Sequence, residues 1–251
     1  MKRTNLLAGL LFVLTFLSAQ AFGCTVEVAY VGLEAGGREG TNLNGEINSG
    51  ANGLLALKTR NPVGSLAELI DEKSWGYCYE LTQYAEFNYR TYNVARLESV
   101  TGSCKAELIS QLWAQHYDKS WESESYIYYG GNQGGWDSGE PANTQENREA
   151  LALSFAIYEI IYDFDGSLGS LDLAADCFKA REDRTDPDDS IAIAANWLNS
   201  LVLPCDYTGP LAELLSLRNN CNQDFIVEIP EPATICILGL ASLMLVKKRK
   251  S

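Results

Sequence analysis

The chain has 251 residues, 46 % hydrophobic and 21 % charged, with a formal net charge of -14 at pH 7. Such a composition describes an ordinary globular core and argues against a disordered chain. The acidic balance argues against nucleic acid as a partner, because its phosphates would be repelled.

The first residues, MKRTNLLAGLLFVLTFLSAQAFG, place Lys2 and Arg3 before an apolar run, Leu6 to Leu17, and end on small residues. A basic start, a short apolar middle and an A-x-A-like finish predict a secretory signal peptide over residues 1–23, cleaved after Ala21 or Gly23. Cys24 follows directly. Ala21 stands where a lipid-attachment motif prefers Leu, which argues against lipidation of that cysteine.

The body, residues 24–229, is long enough for one domain. Residues 24–100 are rich in Gly, Asn and short β-branched or aromatic runs: CTVEVAYVGLE, a Gly/Asn stretch from Gly36 to Gly53, then SWGYCYEL. These predict strands and long turns, with one modest helix at Ser65–Glu72. Cys78 sits in the last of these strands between Tyr77 and Tyr79. Its chemistry is the central question: half-cystine, buried apolar thiol or reactive group.

From Lys105 the period changes. Leu108, Ile109, Leu112, Trp113, His116 and Tyr117 recur at helical spacing, which puts the only histidine on an apolar stripe. A Gly- and aromatic-rich loop follows, and its aromatics, Tyr126 to Trp136, are of a kind that can stack on sugars. In NREALALSFAIYEIIYDFDG both faces are apolar, which predicts a buried helix ended by Asp163, Asp165 and Gly166. A third helix follows RTDPDDS, with Pro187 and the aspartates suited to its first turn and Ile191, Ala194, Trp197 and Leu198 facing inward. A fourth is expected at Leu211–Arg218. The predicted class is α+β, a strand-rich N-terminal half packed against a helical C-terminal half.

Residues 230–251 close the chain with Pro230, Glu231 and Pro232, an uncharged run from Ala233 to Val246, and the basic cluster Lys247, Lys248, Arg249 and Lys250. As a helix that run reaches about 21 Å, short of a hydrocarbon core of about 30 Å. It is a marginal anchor whose basic end fits a cytoplasmic stop.

Seven cysteines are present. Cys236 belongs to the tail, and the other six, in an oxidising compartment, would allow disulfides, of which Cys205 with Cys221 is the most local pair. No C-x-x-C spacing accompanies the lone His116, which argues against zinc. Asp163 to Gly166 and Asp183 to Asp189 cluster oxygen ligands of the kind Ca²⁺ takes, without the spacing of an EF-hand loop.

The tail, in its order of Pro-Glu-Pro, apolar helix and basic end, resembles the PEP-CTERM sorting signal of bacteria. That resemblance implies recognition by an exosortase-type membrane enzyme and delivery to the cell envelope or extracellular matrix, with membrane anchoring through the tail before processing. The body resembles the thioester-forming (TQXA-type) domains of bacterial surface adhesins. Tyr77-Cys78-Tyr79 matches the family's aromatic-Cys-hydrophobic strand, Leu112 to Tyr117 its tryptophan-bearing helix, Ala152 to Asp163 its buried helix, and Ala194 to Leu198 its last helix. In that family the cysteine attacks a glutamine amide in the buried helix, expels ammonia and leaves an electrophilic thioester that captures amines. Here the glutamine position is Ser154, which carries no carbonyl and cannot supply the acyl half of a thioester.

Other glutamines fit poorly. Gln83 lies in a TQxA string only five residues after Cys78, roughly 16 Å away along an extended strand. Gln145 precedes Ser154 by about 13 Å of helix, and Gln111 and Gln133 have no positional argument. A cysteine hydrolase pairing Cys78 with His116 would need a base in reach and a positive environment, which an acidic chain with one stripe histidine supplies badly. The expectation is therefore a non-enzymatic surface module with a host, polysaccharide or matrix ligand. The alternative is an active thioester between Cys78 and an unidentified glutamine.

Overall fold

The computed structural model describes residues 23–37, 41–48, 52–122, 144–180 and 189–230. Six antiparallel strands close into a barrel in the order β1 (Thr25–Gly37), β4 (Asn52–Val63), β5 (Lys73–Cys78), β9 (Phe225–Glu228), β8 (Leu214–Arg218) and β6 (Arg90–Arg96). A second antiparallel sheet joins β3 (Glu46–Asn48), β2 (Thr41–Leu43) and β7 (Phe178–Ala180). The turn between β2 and β3 is Asn44-Gly45, both at positive φ, as a tight two-residue hairpin requires.

β1 and β4 are the long walls, and their pairing turns on two opposed glycines. Gly36 faces Gly53 at φ values of 137° and 136°. A Cβ on Gly36 would lie 2.2 Å from the Asn52 carbonyl oxygen, so neither strand can approach the other with a side chain there. Inside the barrel Val26, Val28, Leu57, Tyr92, Leu217 and Phe225 pack as one cluster. A larger cluster fills the space between the outer barrel face and the helices. A closed sheet leaves no exposed edge, so the barrel needs no cover against strand pairing.

The helices are α1 (Glu98–Thr101), α2 (Ser103–His116), α3 (Gln145–Asp163) and α4 (Ser190–Ser200). α3 is buried nearly all round, from Ala150 to Ile160, against β1, β4, α2 and α4. The doubly apolar sequence requires this, since no face can be given to water. The Thr144 hydroxyl accepts from the Asn147 N–H at 3.2 Å to cap its start, and the Lys105 ammonium from α2 donates to the Ile161 carbonyl near its end. Asp189 caps α4 by accepting from the Ile191 N–H at 3.2 Å.

The α+β class holds, and the division into halves holds only in part: β1 to β6 precede the α-helices, but β7, β8 and β9 lie in the second half. β8 and β9 come from the C-terminal end and close the barrel begun by β1, so strand-rich and helical parts interleave along the chain. The helix expected at Leu211–Arg218 is the strand β8; Leu214 to Leu217 are all buried, with inner and outer barrel faces both covered. The helix expected at Ser65–Glu72 shrinks to the single 3-10 turn Ala67–Leu69. Asp163 is a structural acceptor rather than a free calcium ligand: its oxygens take the N–H groups of Cys177 at 3.0 Å and Phe178 at 2.8 Å. Among the described residues no group of three or more acids, cysteines or histidines is placed to hold a metal. The signal segment, the aromatic loop Tyr126 to Trp136, the run Asp183 to Asp188, and Glu231, Pro232 and the tail that follows lie outside the described residues. No helix among those described is long and apolar enough to cross a membrane.

Candidate functional site

Cys78 ends β5, where the strand is squeezed between β4 and β9. Gly76 makes that possible, since a Cβ there would stand 2.4 Å from the Ile226 carbonyl oxygen. Strand alternation then decides the directions. Tyr77 and Tyr79 face the helix side. Cys78, opposite Phe225, turns toward the barrel interior while still touching the helix-side cluster.

Around it the polar groups are specific. The Tyr79 hydroxyl shares a 2.7 Å hydrogen bond with the Ser216 hydroxyl and donates to the Asp224 carboxylate at 3.3 Å. Asp224 also accepts from the Asn219 N–H at 2.7 Å and lies 3.6 Å from the Arg218 guanidinium. The Leu81 N–H donates to the Tyr162 hydroxyl at 2.9 Å, which ties the exit of β5 to the last turn of α3. The Gln223 amide donates to the Glu80 carbonyl, and its backbone N–H to that of Tyr84 at 3.1 Å.

The electrostatics are hostile to a thiolate. Burial pushes the Cys78 thiol far above its ordinary range, and the carboxylates of Glu80 and Asp224 push it the same way. The residue keeps some exposed surface, yet its sulfur behaves as an enclosed group. Tyr162 is raised to about 12, chiefly by burial, and Tyr158 and Tyr79 are raised for the same reason. Cys78 therefore stands among buried phenols and two nearby carboxylates, a setting that does not activate it.

Ser154 lies wholly buried on α3 one turn before Tyr158. Its hydroxyl has no well-formed hydrogen bond, though it sits close enough to the Tyr158 phenol to act on its ionisation, as the Cys78 thiol also does. The Tyr158 hydroxyl donates to Asn52 at 3.4 Å. Cys78 and Ser154 thus share Tyr158 as a neighbour.

His116 is elsewhere in role. It stacks on Trp197 at 4.2 Å and 11° between planes, and burial lowers its pKa against an opposing pull from Glu149. The charged groups that govern the Cys78 thiol are both acids, and neither is a histidine. Gln111 is committed to Val202, accepting from its N–H at 3.0 Å and donating to its carbonyl at 3.4 Å. Gln145 donates to Glu149 at 2.8 Å. The Gln83 side-chain oxygen is buried without a hydrogen-bond partner among the described residues. Gln133 lies outside them. Pro230 lies two residues past the end of β9.

Gln223 and Asp224 are the site residues that sequence reasoning did not find. Gln223 lies two residues before β9 and sets its carboxamide on the Glu80 carbonyl, 143 positions away in sequence. The polar pair before FIVE was the only local signal, and nothing local links it to Cys78. The six described cysteines are all thiols, with Cys104, Cys177, Cys205 and Cys221 exposed.

No protein-family model, curated protein or solved structure matches this chain.

Proposed function

We propose that the chain is a secreted, exosortase-sorted protein of the cell envelope or extracellular matrix, acting as a noncovalent adhesion or binding module on a thioester-domain-like body. The observation that carries the reading is Ser154, buried on α3 at the acyl position of the family pattern and lacking a carbonyl for Cys78 to attack. The high pKa of the Cys78 thiol agrees with a sulfur that packs rather than reacts. The signal-like start and the Pro230-Glu231-Pro232 tail support export, sorting by an exosortase-type enzyme, and passing membrane attachment through the tail. Host, polysaccharide or matrix material would be the ligand.

The test is the intact mass of the purified mature body before and after methylamine, with peptide mapping of Cys78. A mass explained by the chain and its disulfides alone, with no methylamine uptake, is expected. A mass lower by one ammonia, with methylamine returned to one glutamine, would overturn the reading.

One observation favours the second reading, an active internal thioester. Gln223 is buried and holds its carboxamide against the backbone of Glu80, two residues past Cys78. If a thioester exists, methylamine should appear on Gln223, and Gln223→Glu should abolish the ammonia loss.

A further inference from the structure

The loop that leaves β5 past Cys78 gives two aromatic residues to water. Tyr84 is 81 % exposed and Phe87 51 % exposed. The other large apolar residues exposed among those described, Val63, Leu69, Val202 and Leu211, are aliphatic and lie elsewhere. The loop is nevertheless held in place. The Gln223 N–H donates to the Tyr84 carbonyl at 3.1 Å and the Tyr30 N–H to the Glu86 carbonyl at 2.9 Å, which ties it to the approach to β9 and to β1. Leu81 is buried at its start, and Ala85 packs on the cluster inside the barrel. Phe87 rests on the Tyr30 ring with centroids 5.2 Å apart. Tyr84 and Phe87 are three residues apart, so their Cα atoms lie within about 11 Å of each other.

Area and charge limit what this pair can hold. An aromatic side chain buries about 150–250 Å². Two of them supply less than about 500 Å², against about 800 Å² per partner in a stable protein interface. No Val, Leu, Ile or Met stands between positions 82 and 91 to make up the difference. The nearby arginines are set against acids: Arg90 lies 3.8 Å from Glu86, Arg60 2.6 Å from Glu27, and Arg218 3.6 Å from Asp224. A polyanion therefore meets cations that are already paired, and the formal net charge of -14 repels it and anionic lipid alike. A flat, uncharged ligand is what fits.

We propose that Tyr84 and Phe87 form a stacking platform for an uncharged polysaccharide. This names the ligand class of the binding module proposed above and rests on that reading. A sugar ring has a face of C–H groups that an aromatic ring covers and an edge of hydroxyls that needs polar partners. The exposed Thr82 and Asn88 flank the two aromatics in sequence and carry a hydroxyl and an amide, which donate and accept. Because the loop is already tied to β1 and to the approach to β9, binding orders little more of the chain.

The experiment is affinity electrophoresis of the purified full chain in native gels cast with hydroxyethylcellulose, dextran or galactomannan, and with alginate as the polyanion. At least one uncharged polysaccharide is expected to retard the chain, and added salt should leave the retardation unchanged. The double variant Tyr84→Ala with Phe87→Ala should bind at least about 10-fold more weakly. Tyr84→Ala alone, at a site almost wholly in water, should also weaken binding, while Tyr84→Phe keeps the ring and should retain it. Val202→Ala with Leu211→Ala should change nothing. Melting temperatures of all variants check that folding is kept. No retardation by any of the three, retardation by alginate alone, or equal retardation of the double variant overturns the platform. So does a dimer in sedimentation that the double variant loses, which would give the surface to a second copy. Equal retardation of the double variant leaves a noncovalent binding module standing, whereas methylamine uptake overturns that reading whatever the gels show.

Discussion

The Cys78 thiol shows how a residue type that suggests chemistry can be made inert by its setting. Thiolate is the reactive form, and burial together with Glu80 and Asp224 disfavours it. In mildly alkaline buffer Cys78 should react with iodoacetamide at least about 10-fold more slowly than exposed Cys221, a ratio read by peptide mapping over time. A rate equal to that of Cys221 would mean that the pocket is open. Burial acts the same way on Glu159. It is fully buried on α3, accepts from the Asp172 N–H at 2.7 Å, and is raised to about 8 by burial, with Asp163, Asp172 and Asp176 adding repulsion. The folded pKa lies above the ordinary value of 4.5, so the folded chain binds the extra proton between those values. Stability from this group is whole below about pH 4.5 and is lost as pH rises through about 8. Glu159→Gln keeps an acceptor for Asp172 and removes the charge. It should stabilise the protein above that window by roughly 1–2 kcal/mol and little below it, measured by urea denaturation at both pH values.

The elements differ in how far they were legible. α2, α3 and α4 were readable because their apolar residues recur at helical spacing, and the buried helix around Ser154 because both of its faces are apolar. β8 was not. LAELLSLR is built from good helix formers, yet its Leu214, Leu215 and Leu217 fill both faces of a closing barrel strand, so tertiary burial overrides propensity. The Gly36 to Gly53 stretch was read as turns because glycine usually breaks strands. Here Gly36 and Gly53 let β1 and β4 close on each other instead. That exchange makes Gly36→Ala costly. The added methyl meets the Asn52 carbonyl at a φ that L-residues rarely adopt, and the loss should be roughly 2–3 kcal/mol, seen as a lower denaturation midpoint with an unchanged slope.

At the scale of the molecule, the site exists only because distant segments of the chain meet. Cys78 was visible in the sequence, as was the helix that carries Ser154. The wall opposite Cys78 was invisible, because β9 enters the barrel from the far end of the body and local patterns hold no record of partner choice. Closure by β8 and β9 also means that the fold is not an N-terminal unit with helices added. If β9 is removed by ending the chain at Arg218, β5 and β8 both become edges, and Phe225, Ile226 and Val227 leave the two cores they now fill. Non-local pairing of this kind repays its loop-closure entropy only when the barrel is complete. The shortened chain should therefore lack a cooperative thermal transition altogether rather than melt a few degrees lower, followed by circular dichroism in the near and far ultraviolet. A cooperative transition in that chain would mean that the eight remaining strands and the helices hold a core without closure, and that the pocket around Cys78 is an addition to the fold rather than a product of it.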